Sequence, residues 1–82
     1  MDLTDKRAQL REFVTRSLGT PNLAGDDDIF EVGGATSLFS VELVIFIEDS
    51  LGVPLADDDL ERDNFATINA MAAMIDRKHA TP

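Results

Sequence analysis

Apolar residues recur at three- and four-residue intervals in three stretches of the chain, and this spacing predicts three helices. In the first stretch, Leu10, Phe13, Val14 and Leu18 share a face, while Arg7, Arg11, Glu12, Thr15 and Arg16 fall mostly on the others. Thr4 is placed as its N-cap, and Asp5 sits in the first turn, where a carboxylate suits the helix dipole. Gly19, with Pro21 just beyond it, stops this helix near Leu18. The second stretch runs from Ser37 to about Leu51. Leu38, Val41, Leu43, Val44, Ile45, Phe46 and Ile47 make it apolar around much of its girth, which predicts a helix placed centrally among the others. The competing assignment for residues 41–47 is a strand, because β-branched and aromatic residues are common there; the length of the whole run and its flanking glycines favour helix. Gly52 ends it and Pro54 prevents resumption. In the third stretch, Thr67 caps a helix whose apolar positions are Ile68, Met71, Ala72, Met74 and Ile75, with Arg77 and Lys78 near its end. His79 to Pro82 reads as a frayed tail.

Two connections remain. Gly19 to Thr36 is rich in turn and breaker residues, and loops longer than about 12–15 residues are often functional in compact domains. Leu23, Ile29, Phe30 and Val32 are placed to pin it onto the core. The stretch Asp57 to Arg62 predicts one short helical turn with an acidic front, broken by Asp63 and Asn64, after which Phe65 anchors into the core. No pair of alternating runs predicts a sheet. The expected fold is therefore an all-α bundle of three main helices plus one short one, with a long loop between the first and second. One domain spans residues 1–82, with a core from about 4 to 78.

Composition narrows what such a domain can do. A chain of 82 residues buries only about 60% of its unfolded surface, so a two-domain enzyme with a deep cleft is not expected. The absence of cysteine excludes disulfides and thiolate metal sites, and it suits a cytoplasmic protein. Sixteen acidic residues against seven basic ones give a net charge of −9. Nucleic acid and anionic membranes are poor partners for that surface, whereas proteins with basic docking patches are good ones. The longest unbroken apolar run, Val44 to Ile47, falls far short of the roughly 20 residues of a membrane span, and the N-terminus has no signal-peptide apolar region. Asp26-Asp27-Asp28 lacks calcium-loop spacing and reads as a turn, so no metal is expected.

The candidate chemistry lies in Gly33-Gly34-Ala35-Thr36-Ser37-Leu38-Phe39-Ser40-Val41-Glu42-Leu43. Two glycines and two small residues precede a serine that opens the apolar helix. As a set of residue types, this supports either a helix-capping serine without chemistry or an exposed hydroxyl that another protein modifies. A self-acting nucleophile is excluded, since there is no G-x-S-x-G elbow and the one histidine, His79, lies in the tail.

The longer stretch from Asp28 to Val44 resembles the phosphopantetheine attachment region of acyl and peptidyl carrier proteins. Those families show an Asp-x-(Phe/Leu) turn, a glycine-containing loop, then Ser-Leu opening the second helix. Phe46-Ile47-Glu48 and Leu51-Gly52-Val53-Pro54-Leu55 resemble the end of that helix and the following loop, and Asn64-Phe65-Ala66-Thr67-Ile68 the approach to the last helix. The resemblance runs from about Lys6 to Arg77 and keeps the family's order. It implies that a phosphopantetheinyl transferase uses coenzyme A to place a 4′-phosphopantetheine arm on Ser37 Oγ, and that the arm's thiol then holds an acyl group as a thioester. The protein would catalyse nothing itself. Leu38, Phe39, Glu42, Glu48, Asp57 and Asp58 would contribute to the partner-docking face formed by the second helix and its flanks, although Phe39 is equally placed for the core. Implied partners are the transferase, an acyl- or aminoacyl-loading enzyme, and an acyltransferase or polyketide synthase module, met by a monomer. One departure stands out: Thr36 occupies the position before the serine, where most such carriers have Asp or, in peptidyl carriers, often His. The Ser-Leu-Phe run and the later Asp-Asn-Phe resemble discrete glyceryl, methoxymalonyl or aminoacyl carriers of polyketide pathways. From a different class, the alternative is a small acidic helical adaptor without a prosthetic group, binding basic partner surfaces.

Overall fold

The computed structural model describes residues 3–80, with side-chain surroundings for residues 6–78. Helix α1 spans Leu3–Leu18, α2 spans Ser37–Ile45, α3 spans Arg62–Phe65 and α4 spans Ile68–Ala80. A π-helical turn, Phe46–Ser50, prolongs α2, and a 3₁₀ turn, Asp57–Asp59, precedes α3. No strand occurs among the described residues, and none of the helices is long and apolar enough to cross a membrane. The strand alternative for residues 41–47 is thereby set aside.

The core forms where the apolar faces of α1, α2 and α4 meet. Leu10 and Val14 from α1, Leu43 from α2, Ile47 from its extension, and Ile68, Met71, Met74 and Ile75 from α4 are all fully buried. Phe13 extends the core outward, stacking on Phe46 at 4.2 Å between ring centroids and on Phe39 at 5.8 Å. Among the described residues Lys6 is the one buried charged side chain, and its Nζ donates to Leu51 O at 2.6 Å. This places a cation where carbonyls at the end of the α2 extension lack helical partners.

The long loop is held closely rather than left slack. Ile29 is fully buried, and its N–H donates to Ala66 O at 2.8 Å, tying the loop to the entry of α4. Asn69 N–H donates to Gly25 O at 2.9 Å, and Arg11 donates to Leu23 O. Asp28 folds back on the chain, with Oδ1 accepting from Phe30 N–H at 2.8 Å and more weakly from Glu31 N–H at 3.3 Å. Asp27 Oδ2 accepts from Ala24 N–H at 2.9 Å, so this acidic cluster builds turns.

Several expectations need correction. The backbone of α1 begins at Leu3, so Thr4 and Asp5 lie within the helix, and their side chains fall outside those described. The tail from His79 is helical through Ala80, with the remainder outside the described residues. Val32 does not pin the loop; it is 62% exposed, because Leu23 and Ile29 fill the available core volume. Helix α2 is not enclosed all round: Leu38, Val41 and Ile45 are exposed by more than half, because α1 and α4 cover only its other side. The expected single turn over residues 57–62 is split, since Leu60 and Glu61 leave helical geometry after the 3₁₀ turn. Asp63 and Asn64 therefore do not break a helix; they belong to α3, which starts where the chain resumes helical torsions at Arg62.

Candidate functional site

The loop arrives at α2 through two glycines with different reasons to be glycine. Gly33 is packed so closely that an added Cβ would lie 2.9 Å from Leu18 Cδ1 and 3.0 Å from Ile29 O. Gly34 has space around it but adopts φ of +75°, a left-handed conformation that side chains with a Cβ disfavour. Ala35 N–H then donates to Ile29 O at 2.9 Å, and Thr36 becomes the N-cap in extended conformation. Thr36 Oγ1 accepts from Phe39 N–H at 3.3 Å, and Thr36 O accepts from Ser40 N–H at 3.2 Å.

This shifts the roles at the junction by one residue. The capping function belongs to Thr36, and Ser37 is the first helical residue. Ser37 is exposed, and its hydroxyl makes no hydrogen bond among the described residues. The N–H groups of the first helical turn are the ones an α-helix leaves without internal partners, and they favour an anion placed at this end.

A groove of about 390 Å³ begins at Ser37 and runs beside α2. Its walls are Ser40, Val41 and Val44 on one side, Leu60 to Arg62 and Phe65 on the other, with Phe30 from the loop. The Arg62 guanidinium carbon lies over the Phe30 ring, 4.9 Å from the centroid, and Arg62 forms a long ion pair with Asp28 Oδ2 at 3.7 Å. The arrangement offers a free hydroxyl, an anion-favouring helix end and an adjacent apolar channel.

The other expected site residues are distributed as follows. Leu38 is 71% exposed beside Ser37 and shares the outer face of α2 with Val41 and Ile45. Glu42 is exposed on the same helix, where it borders a second groove with Ile45 and Asp49. Phe39 is corrected from docking face to core: it is 6% exposed and packs against Phe13. Glu48 is exposed, but Oε2 accepts from Leu55 N–H at 3.2 Å, so the carboxylate also holds the following loop. Asp57 and Asp58 are exposed on the 3₁₀ turn. Their neighbour Asp59 is engaged: Oδ2 receives Lys78 Nζ at 2.6 Å and Ala56 N–H at 2.8 Å. The Lys78 hydrogen bond, helped by that of Ala56, holds its carboxyl below the ordinary carboxylate value. Among the described residues, no group of three or more His, Cys, Asp or Glu is placed to hold a metal ion.

Sequence reasoning did not place Phe30, Leu60 and Arg62 at the site. Phe30 reads as a core pin from its apolar character. Arg62 carries no local signal, because its relation to Ser37 is created only when α3 folds against α2.

This combination of fold and site fits a class: small all-helical carrier domains. The family described as "Phosphopantetheine attachment site" matches residues 8–75, and the chain belongs to that family. Its domain is where 4′-phosphopantetheine is attached, and it acts as a carrier rather than as a catalyst. Comparisons with curated proteins and with solved structures gave no match.

Proposed function

We propose that Ser37 is the attachment residue, and that the chain carries an acyl or aminoacyl unit for polyketide or hybrid secondary metabolism. The observation that carries the attachment reading is the uncommitted, exposed hydroxyl of Ser37 at the first position of α2, with Thr36 performing the capping. Loading forms a bond from Ser37 Oγ to phosphorus and breaks the pyrophosphate P–O bond of coenzyme A. The nucleotide portion leaves, and the serine proton passes to a base. The modifying enzyme must supply that base, since no histidine or carboxylate hydrogen-bonds to Ser37 among the described residues. Once bound, the arm contributes a terminal thiol that holds cargo as a thioester.

The chain's own residues then orient and present the load. The first turn of α2 faces the phosphodiester, and Val41, Val44, Leu60 and Phe65 give the arm an apolar surface to lie on. Leu38 supplies an exposed apolar contact on α2, and Glu42 on the same helix, with Asp57 and Asp58 on the 3₁₀ turn, supplies exposed negative charge. Such a face fits transferases and acyl-handling enzymes with basic surfaces. Tethering raises the effective concentration of cargo at each partner without requiring catalysis from the carrier. Thr36 bears on which transferase acts, because it caps the helix without the charge that an aspartate would bring.

Incubation of the purified protein with coenzyme A and a broad-specificity phosphopantetheinyl transferase, followed by intact mass measurement, tests this. A gain of one phosphopantetheinyl group is expected, and it should vanish in Ser37→Ala. No gain with any of several transferases would refute the proposal.

A further inference from the structure

The chain has seven lysine and arginine residues, and six of them donate side-chain hydrogen bonds: Lys6, Arg7, Arg11, Arg16, Arg77 and Lys78. Arg62 is the seventh. Among the described residues it donates none, and it lines the groove that starts at Ser37. It forms an ion pair with Asp28 Oδ2 at 3.7 Å, a separation too long for a hydrogen bond. The other oxygen of Asp28 is already engaged by backbone N–H groups. Glu61 lines the same groove without forming an ion pair to Arg62.

Arg62 is held against Phe30, its guanidinium carbon 4.9 Å from the ring centroid. A cation–π contact uses none of the N–H donors, which form a fork suited to carboxylate or phosphate. A cation with one long ion pair and no hydrogen bond donated to the described residues, in an otherwise mostly apolar groove of a protein carrying −9, is poised for an anionic ligand.

We infer that Arg62 binds an anionic group of the chain tethered at Ser37. This rests on the reading of Ser37 as the attachment residue. The anion has two sources: the phosphodiester of the arm, or a carboxylate on the cargo. In the second case the groove favours units such as malonyl, which end in a carboxylate, over neutral units of similar length.

The test uses the full chain labelled with ¹⁵N in four forms: unmodified, carrying the bare arm, acetyl-loaded and malonyl-loaded. The Arg62 Nε–H resonance is followed across them. A shift when the bare arm is added, accompanied by a ³¹P shift in Arg62→Gln, identifies the phosphodiester as the anion. A shift confined to the malonyl form identifies the carboxylate. In that case Arg62→Gln should shorten the malonyl thioester lifetime about two- to fivefold, the range of an exposed charge pair, and leave the acetyl lifetime unchanged. An Arg62 resonance that stays in place in all four forms, or that moves equally for acetyl and malonyl but not for the bare arm, overturns the inference. If no form gains mass, the attachment reading fails and this inference falls with it. Mass gain with an unresponsive Arg62 refutes this inference alone.

Discussion

Replacing Thr36 with alanine removes the Oγ1 acceptor that holds Phe39 N–H at 3.3 Å. Loss of such a cap costs about 0.5–2 kcal/mol, and the length of this bond places the expected loss in the lower half, at about 1 kcal/mol. For a domain of this size that is a fall in Tm of about 4–8 °C. Thr36→Asp restores the acceptor and adds a negative charge at the N-terminus of α2, worth about 0.3–1 kcal/mol, so it should match or exceed the parent. Ser37→Ala should stay within about 0.5 kcal/mol, because Ser37 makes no capping bond. Thermal unfolding followed by circular dichroism measures all three variants, and amide hydrogen exchange at Phe39 isolates the cap itself. The reasoning fails if Ser37→Ala is the destabilising change and Thr36→Ala the neutral one. It also fails if Phe39 exchange is the same in Thr36→Ala as in the parent.

The Asp59–Lys78 pair predicts a pH dependence. Because its folded-state pKa is lowered from 3.8, Asp59 contributes stability that is complete above the ordinary carboxylate range and lost as pH falls through the lower folded value. Urea midpoints should therefore drop more steeply on acidification in the parent than in Asp59→Asn; parallel curves would contradict this. At the glycine pair, Gly33→Ala should cost about 1–3 kcal/mol through overpacking against Leu18 and Ile29, measured by urea unfolding. Gly34→Ala should cost about 1–2 kcal/mol for a different reason, its left-handed backbone, and so should be rescued by Asn, whereas Gly33→Asn should not be tolerated.

Much of this was readable from the chain because three apolar stripes at helical spacing leave few other ways to make a core. Leu10 with Val14, Leu43 with Ile47, and Met71 with Ile75 are buried as their spacing requires. The junction was legible in kind and shifted in detail: a hydroxyl caps α2, but it belongs to Thr36, because the extended residue that immediately precedes the helix is Thr36, and Ser37 is already helical. Exposure on α2 was not legible, since Val41 and Ile45 are as apolar as Leu43 and Ile47. Only the limited coverage by α1 and α4 separates them. The far wall of the groove was illegible for a similar reason. Leu60, Arg62 and Phe65 depend on the break after the 3₁₀ turn, and Asn64 Nδ2 donating to Asp59 O at 2.9 Å spans that break through a side chain.

The central claim is that Ser37 is where the load is attached, and site mapping tests it most directly. The protein is treated with coenzyme A and a transferase, digested, and the peptide spanning residues 33–50 is fragmented in a mass spectrometer. The account predicts phosphopantetheine on Ser37, with Ser40 and Ser50 unmodified. Modification at Ser40, or a mass gain that survives Ser37→Ala, would contradict it.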